Sequence, residues 1–341
     1  MEHGRDLRST RRELLAACGG VSAALAGCAA AERGNRDQPV VYTSIFPLYE
    51  FARSVGGEAI EVRNAVPSGE HGHAWEPPAD LLADVVSADA FVYLDIEGFQ
   101  PWALDVAAEI ETDYEDVRLI DGLSGVELLR YEGHDHDHSH DHDDDHSHDH
   151  DDDHSHDHSH GEYDAKFFAD PKAVTDGVEA VRDGLIGLDP DAASLFHDNA
   201  AAYIDELETL HERFAVALEE RGHDVAVLAG HDSFRYLADR HGFEIHTPVG
   251  LSPHAEPASE DIAETIDLLE ERNIDTVLWD YFDGDRLAGS IAREAATDPE
   301  TIAVSAAENT APEWQEAGHG DYIGQLSEIT LPAFEAALDA D

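Results

Sequence analysis

The feature that most constrains this chain is an alternation, made twice between residues 39 and 340, of short β-branched runs with segments of helical periodicity. In the first set Val40 to Ile45, Ile60 to Val66, Ala90 to Leu94 and Arg118 to Ile120 read as strands, with helices predicted near 48–55, 78–87 and 100–110. In the second, Val225 to Ala229, Phe243 to Thr247, Thr276 to Trp279 and Ile302 to Val304 read as strands, separated by helices near 234–241, 260–272, 285–296 and 322–338. Successive parallel strands need a crossover, which helices supply, so the pattern predicts the α/β class with two parallel-sheet lobes. Asp170-Pro171 opens a helix and Asp189-Pro190 opens a longer one reaching about Arg221, so two lobes joined by a helix are the simplest architecture. The N-terminal lobe is expected over 39–170 and the C-terminal lobe over 188–341.

Between the two sets, residues 134–160 hold 12 His and 11 Asp and no apolar residue. Such a segment buries nothing, so 133–162 is expected to be a disordered loop within the first lobe. Neutral imidazole is a good ligand for zinc, nickel and copper, and the His/Asp repeat can gather several weakly held ions without fixed geometry. Selectivity must then come from folded groups.

The tract does not explain the charge of the chain. The 76 acidic residues outnumber the 20 basic ones for a net −56, and removing the tract's 11 Asp still leaves −45. This global acidity excludes nucleic acid as a partner and resembles the composition of haloarchaeal proteins, whose surfaces work where salt screens charge strongly.

The first 28 residues read as an export signal. Arg11-Arg12 precedes a small and apolar run too short for the roughly twenty residues of a bilayer crossing, and the run ends in Leu25-Ala26-Gly27-Cys28. Ser9-Thr10-Arg11-Arg12-Glu13-Leu14-Leu15 resembles a twin-arginine signal, and the last four residues resemble a lipobox, with Cys28 lipidated as the mature N-terminus. Cys18 lies in the removed segment, so no internal disulfide is expected. Residues 29–38, small and polar, make a tether to the first strand. The chain is thus expected on the extracellular face of the membrane, held by a lipid anchor.

Three candidate metal ligands fall at loop positions of this plan. Pro67-Ser68-Gly69-Glu70-His71-Gly72-His73-Ala74-Trp75-Glu76-Pro77 is a loop after the strand ending at Val66; His231 follows the strand to Ala229, and Asp280 follows Trp279. Open α/β sheets bind ligands at the carboxyl ends of their strands. At these residues, over about 39–340, the chain resembles the zinc and manganese solute-binding receptors of ABC importers, cluster A-I. Ser44-Ile45-Phe46-Pro47-Leu48-Tyr49 is similar to that family's first strand-to-helix turn, and the stretch ending at Pro77 to its first ligand loop. Gly230-His231-Asp232-Ser233-Phe234, Glu256-Pro257-Ala258-Ser259 and Asp280 with Ile291-Ala292 downstream match later motifs. The resemblance implies His73, His231 and Asp280 as ligands in an interlobe cleft, a rigid linking helix at 171–187, and a monomer with small closure. It also implies delivery of zinc, or manganese, to an importer permease with its ATPase.

One motif departs from the pattern. Where the family places its second histidine ligand, this chain reads Asp164-Ala165-Lys166-Phe167-Phe168-Ala169-Asp170-Pro171, and an ammonium has no lone pair to give a metal. Three accounts stay open: His73, His231 and Asp280 with water; completion by His71, His254 or a tract histidine; or a Lys166–Asp280 pair that abolishes tight binding. A metal-scavenging or adhesive lipoprotein without a transporter is the rival binding function. A metal-dependent hydrolase is the rival enzyme, and neither an H-E-x-x-H motif nor a nucleophile elbow supports it, so no enzymatic activity is expected.

Overall fold

The computed structural model describes residues 38–73, 75–130, 163–249 and 257–340. The signal segment with Cys28, nearly all of the tether, the His/Asp tract and His254 lie outside the described residues.

Each lobe is built on one four-stranded parallel sheet, and the two share a strand order. In the first, β1 (Val40–Thr43), β2 (Glu61–Asn64), β3 (Ala90–Tyr93) and β4 (Arg118–Asp121) lie in the order β2-β1-β3-β4. In the second, β5 (Val225–Leu228), β6 (Glu244–His246), β7 (Thr276–Asp280) and β8 (Glu300–Val304) lie as β6-β5-β7-β8. All eight strands fall where the apolar runs predicted them. In both sheets the chain leaves the first strand to pair on one side and returns to pair on the other, a switch point that opens a crevice at the carboxyl ends of the central strands.

Helix α1 (Phe46–Gly56) begins with Pro47 in its first turn, and Phe46, Leu48, Phe51, Ala52 and Val55 are all buried. The first lobe also holds α2 (Leu81–Val85) and α3 (Pro101–Asp113). A 3-10 turn over Lys166–Ala169 then leads into α4 (Val174–Leu188), which packs against α1 and β4. The linking helix expected at 171–187 is therefore an element of the first lobe's helical layer. Helix α5 (Ala193–Ala217), 25 residues and about 37 Å long, has side chains that reach both lobes. Near its start Asn199 Nδ2 donates to Val55 O at 2.9 Å and Tyr203 packs against Phe51. Near its end Phe214 stacks on His241, the last residue of α6 (Arg235–His241) in the second lobe.

The second lobe continues with α7 (Ser259–Arg272), α8 (Arg286–Glu294) and α9 (Pro312–Ala317). The helix predicted over 322–338 is interrupted: α10 (Tyr322–Gln325) and α11 (Leu331–Ala337) flank a π turn over Leu326–Thr330. Pro332 has no N–H for the helical ladder, and a π turn absorbs the mismatch.

One apolar core runs through both lobes, from Phe51 and Leu48 through Phe167, Phe168 and Phe196 to Phe234 and Phe334. Polar ties cross the same boundary. Tyr322 Oη donates to Phe168 O and Tyr236 Oη to Asp164 O, each at 2.7 Å, and Arg240 pairs with the fully buried Asp170.

Candidate metal centre

The loop after β2 carries His71 and His73 and is held by the segment after β8. Asn309 Nδ2 donates to Pro67 O and Glu70 O, both at 2.7 Å, while Ser68 Oγ and Gly69 N donate to Thr310 O at 2.9 and 2.8 Å. Gly72 lies flat on Glu308, where a Cβ would stand 2.8 Å from the Glu308 carbonyl oxygen. Only glycine allows this approach, and it puts both imidazoles on the Glu308 carboxylate. His231 follows β5 and Asp280 ends β7, so the two central strands of the second sheet deliver them to the crevice. Asp280 Oδ1 accepts from Phe282 N at 2.9 Å, a local turn that brings Asp283 to the same spot.

The three rings form a cluster. Their centres are 4.4 Å apart for His71 and His73, 5.4 Å for His73 and His231, and 6.3 Å for His71 and His231. Glu308 Oε2 accepts from His73 Nδ1 at 2.6 Å. Asp283 accepts from two rings at once, from His71 Nε2 and from His231 Nδ1, each at 2.9 Å. His71, His73 and Glu308 have donor atoms all within 4.8 Å of one another, a spacing a metal ion can bridge.

Electrostatics here are set by burial working against charge. Burial opposes ionisation of His71, but the charge of Glu308 and the hydrogen bond to Asp283 overcome it and raise its pKa to about 9. Burial lowers the pKa of both His73 and His231, leaving neutral rings that donate one N–H each. Burial, with Glu308 and Asp283 nearby, raises Asp280 to about 7. Burial pushes Glu308 the same way, yet His73 and His71 hold it down to about 2. Asp283 is likewise held below the ordinary carboxylate range, against burial, by its bonds from His231 and His71. Such a cluster accepts a divalent cation while releasing protons.

A family model described as zinc-uptake complex component A, periplasmic, or ZnuA, matches residues 41–330. The chain belongs to this family. It is 28% identical over 304 residues to the zinc-binding lipoprotein AdcA of Streptococcus pneumoniae, covering 88% of this chain and 56% of that one. It therefore spans about half the length of the first curated relatives it matches. It is 26% identical over 325 residues to the high-affinity zinc uptake system protein ZnuA of Bacillus subtilis, covering 95% and 94%. Among solved structures, the Zn(II)-bound ZnuA-like domain of S. pneumoniae AdcA aligns at a TM-score of 0.69 with 25% identity, over 89% of this chain and 99% of that one. The laminin-binding protein of Streptococcus agalactiae aligns at 0.71 with 24% identity, over 89% and 100%, a likeness of fold.

His73, His231 and Asp280, expected from strand-end positions, all lie at the crevice and are all buried or nearly so. His71 joins them, and Asp283 and Glu308, which sequence reasoning missed, complete the cluster. Their signal was faint: Glu308 stands four residues past β8, another strand carboxyl end, in a chain crowded with acids. Lys166 also enters the site, 5% exposed, and its Nζ donates to Ser233 Oγ at 3.2 Å and Asp232 O at 3.3 Å. Burial lowers its pKa. It makes no ion pair with Asp280 among the described residues. Phe167 and Phe168 are fully buried and Trp75 packs edge-on against Trp102, so these aromatics serve packing.

Proposed function

We propose that this chain is an extracytoplasmic receptor that captures a zinc ion between its lobes and hands it to an ABC-type importer, a permease with its ATPase. One observation carries the reading: in a member of the zinc-uptake family, imidazoles of both lobes and a buried carboxylate meet at the switch-point crevice between two parallel sheets. The ligands are His73, His231 and Asp280. Imidazole-rich ligation favours zinc over manganese, which prefers oxygen donors. The names of the relatives, a zinc-binding lipoprotein and a high-affinity zinc uptake protein, support the same cargo.

The wider setting belongs to the proposal as well. The chain is exported by the twin-arginine route, works as a monomer held at the outer face of the membrane by lipid on Cys28, and operates in high salt, as its net −56 suits. The His/Asp tract at 134–160 gathers ions for the folded site. The lobes are taken as 39–170, with α4 added to the first, and 188–341.

Calorimetric titration of residues 29–341 lacking 134–160, in high salt, tests the function. A single tight zinc event, weak manganese binding, and loss of the zinc event in His231→Ala and Asp280→Ala are expected. No zinc event without the tract would sink the receptor reading. Release of the full chain from membranes by Cys28→Ser tests the anchor.

A further inference from the structure

We infer that His71 supplies the imidazole this chain lacks at position 166, so that the cargo is held by His71, His73, His231 and Asp280. The inference rests on the zinc-receptor reading and deepens it by naming the coordination set.

The hydrogen bonds of the rings carry the argument. A metal-bound imidazole characteristically gives its other N–H to a carboxylate, which fixes the tautomer and leaves the ligating lone pair free. All three rings give one N–H to a carboxylate: His71 Nε2 to Asp283, His73 Nδ1 to Glu308, and His231 Nδ1 to Asp283. A carboxylate only accepts, so those three nitrogens carry the hydrogens. Of the opposite nitrogens, His71 Nδ1 and His73 Nε2 are buried without a hydrogen-bond partner. His231 Nε2 meets only the Ser233 hydroxyl, at 3.2 Å. Glu308 Oε1 lies 3.3 Å from His71 Nδ1 and favours a proton there, which an entering cation displaces as it takes that nitrogen.

Ring spacing allows the count, with His231 and Asp280 closing on the ion from beside the group of His71, His73 and Glu308 whose donor atoms already lie within 4.8 Å of one another. Two imidazoles on one tetrahedral zinc, with Zn–N of about 2.1 Å, have ring centres about 5 Å apart. The three separations here, 4.4, 5.4 and 6.3 Å, bracket that value. With the Asp280 carboxylate the set reaches four ligands, which is what zinc takes in a closed site. Lys166 meanwhile has its ammonium engaged by Ser233 and the Asp232 carbonyl, so the position that lost a histidine has become a strut between the lobes. Asp283, bonded to two of the rings, is a positioning residue.

The experiment measures zinc affinity of the full chain in high salt against a chelator that keeps the tract empty, so only the tightest equivalent is read. His71→Ala is expected to weaken that equivalent about 100-fold or more, and Asp283→Asn about 10- to 100-fold. In a Lys166→His background, which restores the missing ring, His71→Ala is expected to bind within about tenfold of wild type. On the unmutated chain, nitrogen NMR with one equivalent of zinc is expected to show a ring bound through Nδ1 beside two bound through Nε2, a readout that needs no variant. Equal affinity of wild type and His71→Ala, or three rings bound through Nε2, overturns the assignment while leaving a zinc receptor. Absence of any tight equivalent in wild type overturns both.

Discussion

Between the two loop imidazoles a glycine sets how near the turn comes to Glu308. Gly72→Ala places a methyl 2.8 Å from the Glu308 carbonyl, and overpacking of this kind costs about 1–3 kcal/mol. The variant is expected to lose about that much stability in urea unfolding and to bind zinc at least about tenfold more weakly; wild-type affinity would show that the turn does not position the rings. At Lys166 the sign reverses. A buried ammonium beside the site repels a second cation, so Lys166→Met is expected to tighten zinc binding by about tenfold in chelator competition. Unchanged or weaker binding would remove the ammonium from the electrostatics of the site. His241 gives a pH dependence away from the metal. Burial, with His211 and Arg240 beside it, lowers its pKa to about 4. The folded state therefore binds fewer protons than the unfolded state between pH 6.5 and about 4. Its contribution is complete above 6.5 and is lost as pH falls to about 4, so the urea midpoint should drop more steeply in that window for wild type than for His241→Gln. Parallel curves for the two proteins would count against it. Residue type and strand-end position pointed to His73, His231 and Asp280, and the fold brings all three to one crevice. Glu308 and Asp283 were not legible, because among 76 acids only proximity in space distinguishes them.

At the scale of elements, the apolar runs located every strand, since a run of β-branched residues bounded by turns has few other uses. Helix ends were less legible. The segment near 78–87 keeps only α2 at 81–85, because Pro77 and Pro78 hold the preceding backbone extended. The final helix breaks at a π turn ahead of Pro332. That the helix after Asp189-Pro190 reaches both lobes was decided by packing: α5 has Val55 and Phe51 as neighbours near its start and His241 near its end. One tie between α6 and the segment before α4 is the Arg240–Asp170 pair, with the carboxylate fully buried and the guanidinium one-third exposed. Removing one partner of a buried pair strands the other, and with the exposure of Arg240 discounted, Arg240→Ala is expected to cost about 2 kcal/mol in chemical unfolding. A change under about 0.5 kcal/mol would mean that water already screens the pair.

Over the whole molecule, a charge of −45 outside the tract makes like-charge repulsion the long-range force acting against compactness. The Debye length shrinks from about 10 Å at 0.1 M salt to about 3 Å at 1 M, so the melting temperature is expected to rise steadily with KCl across that range. A flat or falling dependence would show that the acidic surface is not what limits stability. Much of this protein follows from its sequence by itself: two parallel α/β lobes, the strand ends that meet at the crevice, and the global acidity of the chain. Periodicity, turn residues and charge are local properties, and a one-dimensional string states them directly. Tertiary structure alone decided that His71 stands beside His73 and His231, that Glu308 and Asp283 hold the rings, and that Lys166 reaches across to Ser233. Those contacts join residues up to 237 positions apart, as between His71 and Glu308, and depend on the packing of one lobe against the other, which no local pattern encodes.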